Sequence, residues 1–177
     1  MKITDKYVFF YRDWLSNYER TDFTLGLVIQ DKELIKSGTR FFTTEQGFMY
    51  AKAMYFDDIE TAKKILKTEH PAECKKLGRQ VKNYDDKKWD KIRYDIFYEL
   101  NYAKYTQDKK LREKLLDPKF DGKTFVEASP VDRIWGIGYD EFSALKMDAY
   151  KDWGQNLLGK ILTNIRAKLL SEINLYK

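Results

Sequence analysis

Short apolar runs rich in aromatic and β-branched residues begin the chain and predict β-strands. One run covers residues 7–11, and a second covers residues 23–29. The polar stretch 30–33 predicts a turn, after which Leu34 and Ile35 begin a candidate third strand. We therefore expect a small antiparallel sheet in this part of the chain.

Beyond Ser37 and Gly38 the apolar residues recur every three or four positions, which predicts α-helices. Thr43 and Gln46 form a capping box at the start of a helix over residues 44–56. Further helices are predicted over residues 58–67, 71–78, 86–106, 108–116 and 155–171. The helix over residues 86–106 is expected to be the longest, with a core-facing stripe at Trp89, Ile92, Ile96, Leu100 and Ala103.

A last strand is predicted over residues 124–128, and it leads into a loop over residues 129–139. The sequence contains no internal repeat, linker or low-complexity segment. We therefore predict an α+β fold, in which a single mostly helical domain over residues 1–177 surrounds the small antiparallel sheet.

The composition restricts the classes of protein and of site. Hydrophobic residues make up 43% of the chain and charged residues 34%, a balance typical of an ordered globular domain. Cys74 is the one cysteine and His70 the one histidine, which excludes an internal disulfide and a Cys/His zinc site. We expect a cytoplasmic protein without metal or cofactor and, because no long apolar run is present, without a membrane partner.

The net charge of +5 favours anionic partners such as phosphates or nucleic acid. However, 28 acidic residues are interspersed among the 33 basic ones, so the chain has no concentrated basic stripe. The charge alone therefore does not specify a partner.

Four polar segments are candidates for function, and the first of them follows the first predicted strand. Residues 12–18 interleave Trp14 with the hydrogen-bonding residues Arg12, Ser16 and Asn17. An ordinary strand-exit turn that uses serine and asparagine is the alternative interpretation.

The second segment lies at the start of the predicted helix 44–56. Glu45 and Lys52 are seven residues apart and therefore share one helix face with Phe48 and Met49. This spacing predicts a carboxylate and an amine on one semi-apolar wall. In the alternative interpretation, Glu45 only interacts with the helix dipole and Lys52 is solvated.

The third segment, residues 126–138, combines acids, a tryptophan and a Gly-x-Gly motif. Gly136 and Gly138 permit close approach of a ligand to the backbone, Trp135 has a stacking face, and Asp132 or Glu127 is a candidate acid or base. The alternative is a tight connection with a surface charge pair.

The fourth segment, residues 153–160, precedes and starts the last predicted helix. Backbone N–H groups at a helix N-terminus bind phosphate, and Asn156 and Lys160 lie nearby in sequence. The alternative is that Asn156 caps the helix and Gly159 is a helix-packing residue.

In this order and spacing, the segments resemble the NADAR family, also called YbiA-like, from about residue 9 to residue 170. The matching motifs are Trp14-Leu15-Ser16-Asn17, Phe42-Thr43-Thr44-Glu45 with Ala51-Lys52, Leu77-Gly78-Arg79, Trp89 with Arg93, Ala103-Lys104-Tyr105-Thr106-Gln107, Val126-Glu127-Ala128, Asp132-Arg133-Ile134-Trp135-Gly136-Ile137-Gly138, and Gly154-Gln155-Asn156-Leu157-Leu158-Gly159-Lys160 with Arg166.

The resemblance implies an α+β domain that hydrolyses N-glycosidic bonds to ribose. Activities of the family include removal of ADP-ribose from the amino group of guanine, in nucleic acid or as the free nucleoside, and cleavage of ribosylamine intermediates of riboflavin synthesis. Many relatives have histidine where this chain has Gln46. Histidine therefore does not carry the proton here, and carboxylates and lysine must do so.

Roles for the candidate residues follow from this chemistry. We expect Glu45 to act as general acid and base, and Asp132 to act as a second carboxylate that orients water or the ribose hydroxyls. Lys52 is a candidate to form a Schiff base with the opened sugar, which requires a pKa lowered by burial. The ligand-binding candidates are Trp89 and Trp135 for stacking, and Arg12, Ser16, Asn17 and Asn156 for ribose and diphosphate.

The expected substrate is ADP-ribosylated guanine in nucleic acid or as a nucleotide, and a ribosylamine phosphate of riboflavin biosynthesis is the alternative. Two interpretations without catalysis stay open. A module that binds ADP-ribose without cleaving it does not require Glu45, Lys52 and Asp132 together. A nucleic-acid-binding protein would use the positive charge and the 13 tyrosines, although these are scattered along the chain.

Overall fold

The computed structural model of the protein describes residues 1–146 and 149–175. The strands are β1 (Lys2–Ile3), β2 (Tyr7–Phe10), β3 (Phe23–Ile29), β4 (Lys32–Phe41) and β5 (Thr124–Glu127). The helices are α1 (Thr44–Tyr55), α2 (Ile59–Lys67), α3 (Pro71–Gly78), α4 (Asp86–Asp90), α5 (Arg93–Gln107), α6 (Lys109–Leu115) and α7 (Leu157–Leu175). The α+β class predicted from the sequence is confirmed.

The chain divides into two compact units, one of residues 1–16 with 110–177 and the other of residues 17–109. Each unit has its own strands and its own buried apolar residues. The single domain expected over residues 1–177 stays a prediction.

In the first unit, β2 is the central strand of a three-stranded sheet. It pairs antiparallel with β1 and parallel with β5, with Val8 opposite Phe125. The expected pairing of the first two long strands in one antiparallel sheet is therefore wrong, because alternation of apolar residues predicts a strand but not its neighbour. Helix α7 packs on β5 through a buried stripe, as predicted: Leu158, Ile161, Leu162, Ile165 and Leu169.

In the second unit, β3 and β4 form an antiparallel hairpin. Its turn consists of Gln30 and Asp31, whose φ angles of 51° and 61° match a two-residue turn with both residues in the left-handed region. The last residues of β4 lead into α1, which packs against α2, α3, α5 and β4. Gly47 permits the close contact of α1 with α5, because an added Cβ would lie 2.5 Å from the Leu100 side chain.

Two predicted helices differ from the observed ones. The predicted helix 86–106 is interrupted at Lys91 and Ile92, because Ile92 has φ −124° and ψ −16° and serves as the N-cap of α5. Trp89 in α4 and Ile92 before α5 are both buried although the helix is interrupted between them. Their three-residue spacing is therefore compatible with two short helices as well as with one long helix. The last helix begins at Leu157 rather than residue 155, because Asn156 has a φ of 52°, and its 19 residues make it the longest described helix.

Candidate active site

The first turn of α1 carries Glu45 and is held in place by hydrogen bonds. Thr43 caps the helix, because its Oγ1 accepts the backbone N–H of Gln46 at 3.1 Å. The backbone carbonyl of Asn17 accepts the N–H of Glu45 at 3.2 Å and the hydroxyl of Thr44 at 3.3 Å. These hydrogen bonds hold the backbone of Glu45 in place, so the first turn of α1 does not fray.

The Glu45 side chain is buried next to α3. The residue is 5% exposed, and Cys74 on α3 is fully buried. Burial and, after it, the charge of Glu45 raise the pKa of Cys74 to about 12. Cys74 is therefore a neutral thiol at neutral pH, and its Sγ donates to the carbonyl oxygen of Thr68 at 3.7 Å.

The amine of Lys52 is anchored at the C-terminal end of α3. Its Nζ donates to the carbonyl oxygen of Gly78 at 2.9 Å and lies 4.1 Å from the centroid of the Tyr84 ring. Burial lowers the pKa of Lys52 below its usual 10.5, and the charge of Asp86 opposes this shift. A lowered pKa is the condition that an amine nucleophile requires.

Glu45 and Lys52 both lie on the face of α1 that packs against α3. Their seven-residue spacing separates the Cα atoms by about 10 Å along the helix axis. Met49 lies between them and against Gly78, where an added Cβ would collide with the Met49 side chain. The structure thus places the carboxylate and the amine on one partly apolar helix face, as the spacing predicts, while their catalytic roles stay predictions.

Tyr84 and Asp86 complete the surroundings of Lys52, and the sequence pattern did not single them out. The Tyr84 hydroxyl donates to Oδ1 of Asp86 at 2.7 Å. Burial, and then this hydrogen bond, raise the pKa of Tyr84 to about 12, while the charge of Arg93 opposes the shift. A tyrosine before a short helix and an aspartate in its first turn are both common, so no local signal distinguishes them.

Trp89 lies in an aromatic cluster rather than on the surface. It is 4% exposed, and its ring centroid is 5.1 Å from that of Phe48 and 6.2 Å from those of Tyr55 and Phe56. Most of its surface therefore contributes to the core of the second unit, and its role in stacking on a ligand stays a prediction.

The remaining candidates belong to the unit of residues 1–16 and 110–177, except Asn17. Arg12 is exposed, has a φ of 51°, and places its guanidinium 4.9 Å from the Tyr11 ring. Ser16 donates its backbone N–H to the carbonyl of Asp13 at 2.8 Å. These contacts are those of a strand-exit turn, and ligand binding by Arg12 and Ser16 stays a prediction.

Asp132 organises the loop that follows β5. Its Oδ1 accepts the backbone N–H of Ile134 at 2.9 Å and of Trp135 at 2.8 Å, and its carbonyl accepts the N–H of Gly138 at 3.0 Å. One carboxylate oxygen of Asp132 therefore has a structural function, and its role as second carboxylate stays a prediction. Trp135 is half-buried.

The two glycines of the Gly-x-Gly motif are required by the loop itself. An added Cβ on Gly136 would lie 2.8 Å from the carbonyl oxygen of Glu127. Gly138 has a φ of +76°, and an added Cβ would lie 2.7 Å from the Arg133 side chain. Close packing within the protein thus explains both glycines, and their contact with a ligand stays a prediction.

Asn156 binds the backbone of β5 with both ends of its side-chain amide. Oδ1 accepts the N–H of Glu127 at 3.0 Å, and Nδ2 donates to the carbonyl of Phe125 at 3.0 Å. Asn156 is 8% exposed and Glu127 is 9% exposed. The amide thus pairs with the backbone of β5 as a neighbouring strand would. The sequence around Asn156 and the sequence of β5 do not indicate this contact when each is considered alone.

Two backbone N–H groups at the N-terminus of α7, which the sequence analysis offered for a phosphate, donate to carbonyl oxygens of the protein itself. The N–H of Leu157 donates to the carbonyl of Ile134 at 3.1 Å, and that of Leu158 donates to the carbonyl of Trp135 at 3.1 Å. For these two residues the expectation is wrong, because the loop 132–138 folds back over the helix end.

Comparisons with known proteins identify the family. The NADAR domain matches residues 9–170, which include every candidate site residue named above. The chain belongs to the NADAR family. The matched range contains the capped first turn of α1, the Asp132 loop and the Asn156 bridge to β5.

Curated NADAR relatives cover much of the chain. An N-glycosidase of Acanthamoeba polyphaga mimivirus is 38% identical over 92% of this chain and 96% of its own length. Protein irg-1 of Caenorhabditis elegans is 34% identical over 80% of this chain and 66% of its own length. A riboflavin biosynthesis protein of Vibrio vulnificus is 30% identical over 75% of this chain, but the match spans 32% of that protein.

A solved structure has a similar fold. The NMR structure of the Escherichia coli protein YbiA superposes with a TM-score of 0.69, covering 97% of this chain and 89% of that chain. The sequences are 23% identical. Among the helices in the described part of this chain, none is both long enough and apolar enough to span a membrane.

Proposed function

We propose that this NADAR protein is an N-glycosidase that hydrolyses the bond between ribose and an amino nitrogen. The observation that carries the proposal is the shared face of α1, on which Glu45 is buried and the Lys52 amine has a lowered pKa. The mimivirus relative, named an N-glycosidase, supports the same reaction class. We keep the cytoplasm as the proposed location, because Cys74 has no second cysteine to pair with.

The reaction begins with opening of the ribose ring. The bond between C1 and the ring oxygen breaks, the ring oxygen takes a proton, and the C1–N bond becomes a protonated imine. The nitrogen lone pair of the glycosidic amine supplies the electrons for this step. Glu45, the buried acid of α1, delivers the proton and later recovers it.

Lys52 then exchanges with the glycosidic amine. Its neutral Nζ attacks C1 and passes a proton to the Glu45 carboxylate. Glu45 then gives this proton to the original amine, which leaves, and C1 remains bonded to Nζ as a protonated imine. Water adds to C1, the bond to Nζ breaks, and the free aldehyde closes to ribose. The net change is consumption of one water, with Lys52 and Glu45 regenerated.

We propose ADP-ribose on the amino group of guanine, in DNA or as a nucleotide, as the substrate. The net charge of +5 favours an anionic substrate of this kind. Oδ1 of Asn17 is buried and accepts no hydrogen bond from the described residues, so a polar substrate group would satisfy it. We retain Asp132 as the second carboxylate, and Arg12, Ser16, Glu127, Trp135 and Asn156 as further substrate contacts.

A ribosylamine phosphate of riboflavin biosynthesis is the second candidate substrate. The Vibrio vulnificus relative named for that process supports it. Both substrates carry a ribose bonded to an amino nitrogen, so the chemistry of Glu45 and Lys52 serves either one. The two substrates differ in their leaving group and in their phosphates.

The substrate is tested by mass spectrometry of the products formed from three compounds. These are guanine-ADP-ribosylated DNA, ADP-ribosyl-guanosine and a ribosylaminopyrimidine phosphate, each incubated with the protein and with heat-denatured protein as control. We expect release of ADP-ribose from one or both guanine adducts. Cleavage of the pyrimidine alone would select the second candidate, and no product from any compound would contradict catalysis and favour an ADP-ribose-binding module.

A further inference from the structure

We propose that Tyr84 is a positioning residue for Lys52: its ring face and the Gly78 carbonyl hold the amine so that its lone pair points in one fixed direction. The inference rests on the proposed function, in which the Lys52 amine attacks C1 of the sugar. Tyr84 itself has no place in the reaction steps above, and it acts only through its contact with the Lys52 amine.

Two acceptors are enough to fix the direction of the lone pair on a neutral amine. A neutral Nζ has two N–H bonds and one lone pair. One N–H donates to the carbonyl of Gly78 at 2.9 Å, and the π face of Tyr84, 4.1 Å away, attracts the other. The lone pair repels both acceptors, so it is directed away from them. In the ammonium form, the third proton occupies this direction, and its loss leaves the lone pair there.

The Tyr84 ring is itself held from two sides. Its hydroxyl donates to Oδ1 of Asp86 at 2.7 Å, which fixes one end of the ring. The ring meets Phe56 edge to face at 5.3 Å between centroids, and Phe56 is 7% exposed. Tyr84 remains 43% exposed, so it forms an outer cover over Lys52.

Lys32, in the same unit, shows the usual arrangement of a structural lysine. Its Nζ forms an ion pair with Asp57 at 2.7 Å and donates to the carbonyl of Tyr55 at 2.8 Å. Within the described residues, Lys52 has no ion pair, and a carbonyl oxygen and an aromatic ring orient its amine instead.

The first test needs no substrate. Lys52 is acetylated with limiting acetic anhydride at several pH values, and its labelling is measured by peptide mass spectrometry relative to Lys32. We expect Tyr84→Leu to increase the labelling rate of Lys52 by about two- to fivefold, because the ring contact is lost. Tyr84→Phe keeps the ring face and its contact with Phe56 but loses the hydroxyl bond to Asp86, so its labelling rate should lie between those of the wild type and Tyr84→Leu. Tyr150→Leu replaces another exposed tyrosine and is the matched control.

The second test measures turnover of the substrate identified by product analysis. Tyr84→Leu should lower kcat by about ten- to a hundredfold with KM within about twofold, because the amine is misplaced while the substrate still binds. Tyr84→Phe, which keeps the ring but not its hydroxyl bond to Asp86, should restore most of kcat. Unfolding would also expose the half-buried Lys52 and slow turnover, so equal melting temperatures and equal labelling of Lys32 in all variants are required to assign the effect to the lost ring contact.

The outcomes separate this inference from the proposed function. Unchanged Lys52 labelling in Tyr84→Leu would overturn the positioning role whatever the activity. A rise in KM with kcat unchanged would also overturn it and would assign Tyr84 to substrate stacking. Altered labelling in a protein that releases no product from any substrate would support the positioning of Lys52 while the proposed reaction fails.

Discussion

The side-chain amide of Gln46 donates to the backbone carbonyl of Thr68 at 2.7 Å and joins the start of α1 to the end of α2. The same nitrogen donates to the carbonyl of Ile65 at 3.2 Å, and Oε1 accepts the N–H of Phe42 at 2.9 Å. Gln46 therefore has a structural function, next to the proposed acid Glu45.

Replacement of Gln46 should destabilise the protein. In Gln46→Ala, the part-buried N–H of Phe42 loses its partner and the carbonyl of Thr68 keeps only the thiol of Cys74, so we expect a loss of about 2 kcal/mol in the free energy of unfolding. Urea denaturation measures this loss. Gln80→Ala, which removes an exposed glutamine of the same unit, should change the free energy by less than about 0.5 kcal/mol. Equal losses of stability in both variants would contradict the structural role of the Gln46 hydrogen bonds.

Asn156 allows its backbone conformation and its hydrogen bonds to be tested separately. Asn156→Gly removes both bonds to β5 but tolerates the φ of 52°, whereas Asn156→Ala must also adopt that strained angle. We expect Asn156→Ala to be less stable than Asn156→Gly by about 1 kcal/mol, and both to be less stable than the wild type by about 2 kcal/mol or more. Thermal and urea unfolding of the three proteins measure these differences, and equal stability would contradict the account.

Asp58 predicts a pH dependence of stability. Burial raises its pKa, but backbone hydrogen bonds from Lys82 and Thr61, with the side chain of Thr61, lower it by more, so the folded value lies below the usual 3.8. A depressed carboxyl pKa contributes stability above the unfolded value and loses it as the pH falls through the folded value. Asp58→Asn should therefore be destabilised most above about pH 5. A stability difference from wild type that is the same at pH 3 and pH 7 would contradict this assignment.

The local sequence predicted most elements but not their partners. The capping residue Thr43 and the proline of α3 place helix starts correctly, because caps act within one turn. The parallel pairing of β2 with β5 joins strands more than a hundred residues apart. No local periodicity encodes such a pairing.

For the candidate site, helix geometry alone predicted that Glu45 and Lys52 share a face of α1. It did not predict Tyr84 or Asp86, because these reach Lys52 from a turn that is distant in sequence. The Asn156 bridge to β5 was missed for the same reason. The tertiary fold brings these residues into contact, and no local pattern in the sequence indicates that contact.

Lys52 predicts a pH-dependent covalent intermediate. Trapping with cyanoborohydride during turnover should attach the sugar to Lys52, since an imine at Nζ is reduced to a stable amine. The trapping rate should rise with pH as the amine loses its proton and should level off below the usual pKa of 10.5. Lys52→Arg keeps the charge and should give no adduct at position 52. Turnover by wild type without any adduct would support direct attack by water.

The central claim is that Glu45 of α1 carries the proton in hydrolysis of the ribosyl–amine bond. The most direct measurement is the single-turnover rate of ADP-ribose release from ADP-ribosyl-guanosine by the wild type, Glu45→Gln and the exposed control Glu60→Gln. We expect Glu45→Gln to lose about 10²- to 10⁴-fold in rate at an unchanged melting temperature, and Glu60→Gln to match the wild type. A Glu45→Gln protein that releases ADP-ribose at the full rate would contradict the account.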